Sequence, residues 1–222
     1  DGRALLLTHP VPFHNQGNRH QIDEYLELLE HTGVIIVTRD PRIAISDEAL
    51  RFAETVWSTH GIRDNEKVVG IQPGAKFGAT KLWPVDRFAK VADRLAVVED
   101  ARVILFGNNE EAHLTASIAN QMKTKPIDLG GRDNLLVLPG VLKRLNAFLT
   151  GDTGPMHVAA SLGTPIVALF GPTDPAHTGP IGDFHTILRR DLFCSPCFLK
   201  RCPYGHECME EMGIDETVEA IR

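Results

Sequence analysis

Short apolar runs alternate with helix-like segments from Val68 onward, and this alternation limits the fold of the chain more than any other feature. A short run of β-branched or apolar residues predicts a buried strand, whereas apolar residues three and four positions apart predict a helix. Strands that alternate with helices are typical of a parallel sheet with crossover helices. We therefore predict an α/β fold: a Rossmann-like parallel sheet with helices on both faces.

The alternation marks individual strands and helices. The predicted strands are VVGIQP, ARVILFG, PIDLGG, NAFLTGD and TPIVALFG. The predicted helices are PVDRFAKVADRLAVV, residues 109–122, residues 135–145 and TGPMHVAASLG. In the first helix Phe88, Val91 and Leu95 fall on one side, so we expect that side to pack on the sheet.

The first 65 residues contain too few predicted elements to complete a sheet of their own. RALLLTHP predicts a strand, and helices are predicted over residues 21–30 and from Ser46 to about Gly61. Serine before an acidic pair favours a helix start, and glycine favours a helix end. We predict that residues 1–65 are the tail of an N-terminal Rossmann-like domain plus a linker. Residues 66–222 then form a C-terminal Rossmann-like domain with a cysteine-bearing tail.

Composition and charge narrow the classes of protein. The 222 residues are 43% hydrophobic and carry a formal net charge of −6. No apolar run approaches the ~18 residues that a membrane-spanning helix needs. No basic stripe is present to neutralise phosphates, so we predict no nucleic-acid partner. No charged-then-apolar leader precedes Asp1, and the default expectation is a cytoplasmic protein.

The segment GDTGPMHVAAS, residues 151–161, combines a strand end with a helix start. Pro155 suits the first turn of a helix, where backbone amides lack partners and the helix dipole attracts anions. Gly154 would allow a phosphate close to the backbone, and Thr153 and His157 could add donors. In the alternative interpretation Asp152 or Thr153 only caps the helix and His157 is an ordinary interior histidine.

The loop QPGAKFGATKLWP, residues 72–84, which we call the lysine loop, follows the first predicted strand. Two glycines and two lysines allow such a loop to wrap a polyanion, and Lys81 lies just before the next helix. A lysine near glycines is a weak signal, because most surface lysines are simply solvated.

The segment FGNNEEAHL places two acids after the second predicted strand. An acid at this point of a Rossmann-like fold can accept hydrogen bonds from a ribose. Favourable placement of Glu110 and Glu111 near a helix start explains them equally well, and the spacing does not choose between the two residues.

Taken together, the motifs PGAKFGATKLWP, GNNEE, GDTGPMHVAASLGTPIVALFGPTDP and HQIDEYLELLEHTG resemble glycosyltransferase family 9, the heptosyltransferases of lipopolysaccharide core assembly. The resemblance implies the C-terminal, donor-binding half of a GT-B glycosyltransferase. It implies ADP-heptose as the donor, a lipopolysaccharide core acceptor, and a peripheral place at the inner membrane face. The catalytic base is expected in an N-terminal domain that precedes this sequence.

Site roles follow from the same resemblance, motif by motif. Lys81 would contact phosphates and Glu111, rather than Glu110, the ribose. The segment from Asp152 would contact the diphosphate and the sugar, and two further residues of the lysine loop are weaker candidates. The implied substrate-binding residues are Lys81, Glu111, Asp152, Thr153, Gly154, His157, Lys76 and Thr80.

The reaction that the resemblance implies is an inverting transfer of the sugar without a metal or another cofactor. The sequence contains no Asp-x-Asp motif, which is consistent with a reaction that uses no metal. Two alternatives stay open. A sugar-nucleotide epimerase also uses two facing Rossmann-like domains, and a nucleotide-binding module without chemistry would need no base.

All four cysteines fall within CSPCFLKRCPYGHEC, the cysteine segment, residues 194–208. Clustered thiols can bind zinc tetrahedrally, and a cytoplasmic setting disfavours disulfides. The spacing differs from compact zinc-finger patterns, so free thiols are the favoured interpretation and a zinc site the alternative. The cysteines are Cys194, Cys197, Cys202 and Cys208, with His206 between the last two.

Overall fold

The computed structural model describes residues 2–11, 19–76, 78–132 and 134–222, without the side chains of Arg3 and Ala4. A six-stranded parallel sheet, in the order β3-β2-β1-β4-β5-β6, forms the centre of the molecule. Its strands are β1 Val68–Gln72, β2 Arg102–Leu105, β3 Ile127–Asp128, β4 Ala147–Gly151, β5 Ile166–Phe170 and β6 His185–Arg189. The predicted Rossmann-like parallel sheet is confirmed.

Helices connect the strands and cover the sheet. In the described part of the chain they are α1 Gln21–His31, α2 Asp47–His60, α3 Val85–Val98, α4 Ala112–Gln121, α5 Leu138–Leu142, α6 Gly154–Ser161, α7 Pro175–Thr178, α8 Glu207–Glu210 and α9 Ile214–Ile221. A short 3-10 helix, Ala79–Lys81, lies between β1 and α3. None of the helices in the described ranges has the length and apolar character needed to span a membrane.

Alternate residues of the strands enter two separate hydrophobic clusters, one on each face of the sheet. Val103 and Leu105 of β2 pack in one cluster, with residues of α3 and α9. Ile104, between them, packs in the other, with residues of α2, α5 and α6. Since successive side chains of a strand point to opposite faces, this division confirms that helices cover both faces.

The chain reverses its direction across the sheet between β1 and β4. The β1 strand pairs with β2 on one side and with β4 on the other, and Gln72 lies opposite Thr150. Ligands of doubly wound sheets bind where the strand order reverses, outside the carboxyl ends of the strands. The loops after β1 and β4 therefore determine what the protein can bind.

Two helices of the first 65 residues contact the sheet in different ways. Helix α2 begins after the Ser46 cap and ends at the left-handed Gly61, as predicted, and buries Trp57 in the core. Helix α1 buries no residue, and its capping residue His20 donates from Nε2 to the Gly179 carbonyl at 3.0 Å. The boundary at residue 65 stays a prediction, although α2 packs within the core of the following sheet.

The predicted strand RALLLTHP is wrong. Gly2–Leu6 is a 3-10 helix, and the Leu5 and Leu6 side chains are 91% and 85% exposed. A strand needs a neighbour to pair its backbone groups, and the apolar sequence alone did not show that none of the sheet's strands lies beside this segment.

Other differences concern helix limits and the sheet edge. Helix α4 begins at Ala112 rather than residue 109, and α5 is much shorter than the predicted 135–145. Strand β6 was not predicted because its residues HTILR are half-buried or exposed and give no continuous apolar run.

A substitution at Gly140 tests the packing of α2 on α5. A Cβ atom at this position would lie 2.0 Å from the Ala49 carbonyl oxygen, so Gly140→Ala should force the helices apart. We expect the free energy of unfolding to fall by about 2 kcal/mol, measured by urea denaturation. Gly154→Ala is the matched control, because its Cβ would meet no atom within 4 Å. An unchanged urea midpoint for Gly140→Ala would contradict the packing of these two helices.

Candidate functional site

A cavity of about 490 Å³ opens at the carboxyl ends of β1 and β4. The segments after β1, β2 and β4, the starts of α1 and α5, and helix α7 contribute to its wall. The cavity is lined by Gln21, Gln72, Lys76, Lys81, Asn108, Glu111, Asn134, Leu135, Leu138, Asp152, Thr153, Gly154, Pro155, His157 and Thr178. Seven of the eight predicted substrate-binding residues are in this wall, and Thr80 is the exception.

The N-terminus of α6 faces this cavity without a side-chain cap. Thr153 is the N-cap residue, but its side chain makes no hydrogen bond to the helix amides. Its hydroxyl lies instead 3.0 Å from the hydroxyl of Thr150. The simple capping interpretation of Thr153 is therefore wrong. The first amides of α6 stay available to an anion, and a Cβ at Gly154 would find open space.

Lys81 and Asp152 form an ion pair across the site. The Lys81 Nζ atom lies 2.6 Å from Asp152 Oδ2 and 3.3 Å from the Asp152 carbonyl oxygen. The two side chains are only 11% and 8% exposed, so Lys81 is not a solvated surface lysine. The Thr178 hydroxyl donates to the same Asp152 oxygen at 3.2 Å. These contacts hold an ammonium group next to the α6 N-terminus.

Of the two acids that follow the second strand, Glu111 is the one that lines the cavity. Its Oε2 atom accepts hydrogen bonds from Gln72 Nε2 at 2.9 Å and from the Asn108 amide at 3.2 Å. The carboxylate lies directly over Gly74, where a Cβ would be 2.0 Å from Glu111 Oε1. Glu110 does not line the cavity. The structure thus places at the cavity the acid that the resemblance favours.

His157 borders two cavities. It lines the main cavity and a neighbouring one of about 200 Å³, which also contains His20, Tyr25 and Ile181. Desolvation lowers the pKa of His157, against the attraction of the Asp152 carboxylate, which raises it. The lowered pKa favours the neutral imidazole, which donates one hydrogen bond from one ring nitrogen and accepts one at the other.

The two weaker candidates of the lysine loop lie in different places. Lys76 lines the cavity. Thr80 is 4% exposed, and its hydroxyl donates to the Leu199 carbonyl at 2.7 Å. The structure therefore does not bring Thr80 to the cavity wall.

Sequence reasoning missed several wall residues. The polar side chain of Gln72 at the end of an apolar strand was a usable signal, since strand ends bear the ligand in this fold. Leu135 and Leu138 lie in a segment that was predicted only as a helix, and no local pattern indicated that they face a cavity. The wall residues outside the predicted substrate-binding set are Gln21, Gln72, Asn108, Asn134, Leu135, Leu138, Pro155 and Thr178, of which only Pro155 was noted, as a helix start.

The cysteine segment lies next to the lysine loop. All four cysteines are free thiols, and they line a separate cavity of about 170 Å³. Within the ranges that the structure describes, no three His, Cys, Asp or Glu side chains are grouped so that they could hold a metal ion. The zinc alternative thus has no support in the geometry. Burial raises the pKa of Cys208 to about 11, so this thiol is protonated at neutral pH.

Known proteins resemble both the sequence and the fold. Lipooligosaccharide heptosyltransferase 2 of Campylobacter jejuni is 30% identical over 209 residues, 91% of this chain and 63% of that protein. The crystal structure of a family 9 glycosyl transferase from Veillonella parvula matches with a TM-score of 0.84 at 28% identity, over 98% of this chain and 63% of the other. The Escherichia coli ADP-heptose lipopolysaccharide heptosyltransferase II matches with a TM-score of 0.68 at 26% identity, over 82% and 52% respectively.

The three matches cover only part of each related protein, whereas the family model covers nearly all of this chain. The chain spans 52% to 63% of the length of these three proteins. The model of glycosyltransferase family 9 (heptosyltransferase) matches residues 2–207, which is nearly the whole chain. The chain therefore belongs to glycosyltransferase family 9.

Proposed function

We propose that the cavity binds the diphosphate of a sugar nucleotide and that the protein acts as a heptosyltransferase. The observation that carries this proposal is the uncapped N-terminus of α6, which faces a cavity next to the Lys81 ammonium. Backbone amides at a helix start bind phosphate oxygens, and an adjacent ammonium adds charge where the amides point. Both groups belong to the cavity wall.

The ion pair has a role in this proposal. Asp152 keeps the Lys81 ammonium in position at 2.6 Å. A lysine stem has several rotatable bonds, so an already ordered ammonium lowers the entropy cost of binding. The two wall lysines are balanced by Glu111 and Asp152, so attraction for an anion depends on local placement rather than net charge.

The nucleoside would occupy the part of the cavity near Glu111. One oxygen of this carboxylate already accepts two hydrogen bonds from the protein, which leaves the other able to accept from a ribose hydroxyl. Leu135 and Leu138 supply apolar surface in the same cavity for a base. The name of the related Escherichia coli enzyme supports ADP-heptose as the donor.

The reaction would be a direct, inverting displacement at the anomeric carbon. Negative charge develops on the departing diphosphate, and Lys81 with the α6 amides would stabilise it without a metal ion. The neutral His157 would donate to the sugar or to a phosphate oxygen. The related heptosyltransferases are longer than this chain. We propose that this chain is the donor-binding half of a GT-B enzyme and that the base comes from the other half.

The acceptor in this proposal is a lipopolysaccharide core, and the names of the relatives support a lipooligosaccharide or lipopolysaccharide acceptor. As the family resemblance implies, the complete enzyme would act as a peripheral protein at the cytoplasmic face of the inner membrane. A donor-binding half alone would bind ADP and transfer little or no heptose.

Nucleotide titration with a charge-deleted variant tests the proposal. We expect ADP to bind more tightly than UDP, and Lys81→Ala to weaken ADP binding at least tenfold, because a charge-assisted hydrogen bond is lost. Lys90→Ala is the matched control, since Lys90 also pairs with an aspartate at 2.7 Å but lies on α3, outside the cavity. Calorimetric titration gives the affinities. Preference for UDP would favour the epimerase, and equal effects of both lysine variants would reject the site.

Gly154→Ala tests the contact between the ligand and the α6 backbone. The added Cβ meets no protein atom within 4 Å, so stability should not fall. The methyl group would nevertheless stand where the diphosphate approaches the amides, and we expect ADP affinity to fall by about tenfold. Urea denaturation and ADP titration of the same preparation separate the two effects. Unchanged ADP affinity would show that the ligand does not use this backbone.

Gln72→Leu tests whether Gln72, one of the wall residues that sequence reasoning missed, orients Glu111. Removing the side-chain amide takes away one of the two hydrogen bonds to Glu111 Oε2, and we expect about fivefold weaker ADP binding. Combined with Glu111→Gln, the Gln72 substitution should cause little additional loss, because the two residues act as one unit. Glu110→Gln is the control outside the cavity. Fully additive losses would contradict the coupling.

A further inference from the structure

The backbone that carries Lys81 is held by a segment far away in the sequence. Thr80, in the middle of the 3-10 helix Ala79–Lys81, is 4% exposed. Its hydroxyl donates to the Leu199 carbonyl at 2.7 Å, and its own carbonyl accepts from His206 Nε2 at 2.6 Å. One buried residue thus makes two hydrogen bonds, and both partners belong to the cysteine segment.

A third contact involves the residue that precedes the 3-10 helix. Gly78 has φ of +146°, and a Cβ there would lie 3.2 Å from the Lys200 carbonyl oxygen. The two backbones therefore pass close to one another at this point. Glycine permits both the conformation and the close approach.

The cysteine segment is itself attached to the sheet. The amides of Cys197 and Phe198 donate to the Pro172 carbonyl at 3.1 and 2.8 Å. The Ser195 hydroxyl donates to the Gly171 carbonyl at 2.6 Å, and Cys208 is buried beside the same glycine. Gly171 and Pro172 directly follow β5, so this segment connects the end of β5 to the lysine loop.

We propose that Thr80 and His206 are positioning residues that fix the backbone at Lys81 for diphosphate binding. This inference rests on the proposed function, because the proposed function assigns the diphosphate to Lys81 as its ligand. The reason is geometric: Lys81 directly follows Thr80, and its ammonium must meet Asp152 at 2.6 Å in a nearly buried site. A 3-10 helix of three residues is too short to hold such a backbone alone. The contacts with the cysteine segment supply the missing constraint.

Two substitutions remove these contacts singly. Thr80→Val keeps the size and shape of the side chain and removes the hydroxyl. His206→Asn removes the ring that reaches the Thr80 carbonyl, and asparagine tolerates the positive φ of +65° at this position better than most residues. Thr217→Val is the matched control, since Thr217 is fully buried and donates to a carbonyl at 2.7 Å, but on α9, outside the cavity wall.

The first readout needs no ligand. Hydrogen exchange of the backbone amides in residues 78–82, measured by mass spectrometry, reports how well this loop is held. We expect both Thr80→Val and His206→Asn to accelerate exchange in this peptide at least fivefold, the effect of losing about one hydrogen bond. Thr217→Val should leave it unchanged. Unchanged exchange in the first two variants would overturn the proposal, whatever the protein binds.

The second readout is specific to the diphosphate. We expect each variant to weaken ADP binding about fivefold and to leave adenosine binding unchanged, because only the diphosphate meets Lys81. In a Lys81→Ala background, Thr80→Val should cause no further loss of ADP affinity. Equal losses for ADP and adenosine would indicate a general structural effect and overturn the positioning role.

The two proposals fail in different ways. Absence of ADP binding by the unsubstituted protein would reject the proposed function and with it the purpose of the positioning, while the exchange measurement would still decide whether the segment holds the loop. Normal ADP binding that depends on Lys81 but not on Thr80 or His206 would reject the positioning alone. If Thr80→Val does not fold, His206→Asn decides, since His206 is only partly buried.

Discussion

The pairing of β1 with β4 is the constraint on which the site depends. It places Gln72 opposite Thr150 at the carboxyl edge of the sheet. Lys81 and Asp152 are 71 residues apart in the sequence, yet their loops leave neighbouring strands and their charges meet at 2.6 Å. Parallel pairing directs every strand end to one edge, so acids, amides and lysines from separate loops converge there.

Burial of the ion pair between Lys81 and Asp152 explains why both residues make further hydrogen bonds. Removing two charges from water is costly, and their attraction repays this cost only when further hydrogen bonds satisfy them. Thr178 supplies one such bond to Asp152, and the Asp152 carbonyl accepts a second bond from Lys81. The adjacent α6 amides lack a cap, which leaves donors for an anion beside a pair that is already satisfied.

Much of the fold was predictable because its signals are local. Strands β1, β4 and β5 are buried along their whole length and β2 along most of its length, and the limits of α2 follow from the Ser46 cap and Gly61. Sequence patterns did not predict strands that are only partly buried, or site residues whose contacts are distant in the sequence. Strand β6 is an edge strand without a fully buried residue, and RALLLTHP has strand-like composition although its first half lies in the 3-10 helix Gly2–Leu6. The motif residues of α6 were found, whereas Gln72 and Thr178 acquire their roles only from long-range contacts.

By itself the sequence determined the α/β class, the order of the elements from β1 to β5 and the motif residues that approach the cavity, because periodicity and capping act over a few positions. Only the tertiary structure decided that Glu111 rather than Glu110 reaches the cavity, and that Thr80 bonds to the cysteine segment instead of lining the wall. Both depend on where separate segments meet in space. Contacts between distant segments depend on strand order and on side-chain packing across the whole sheet. A local sequence pattern carries no information on either.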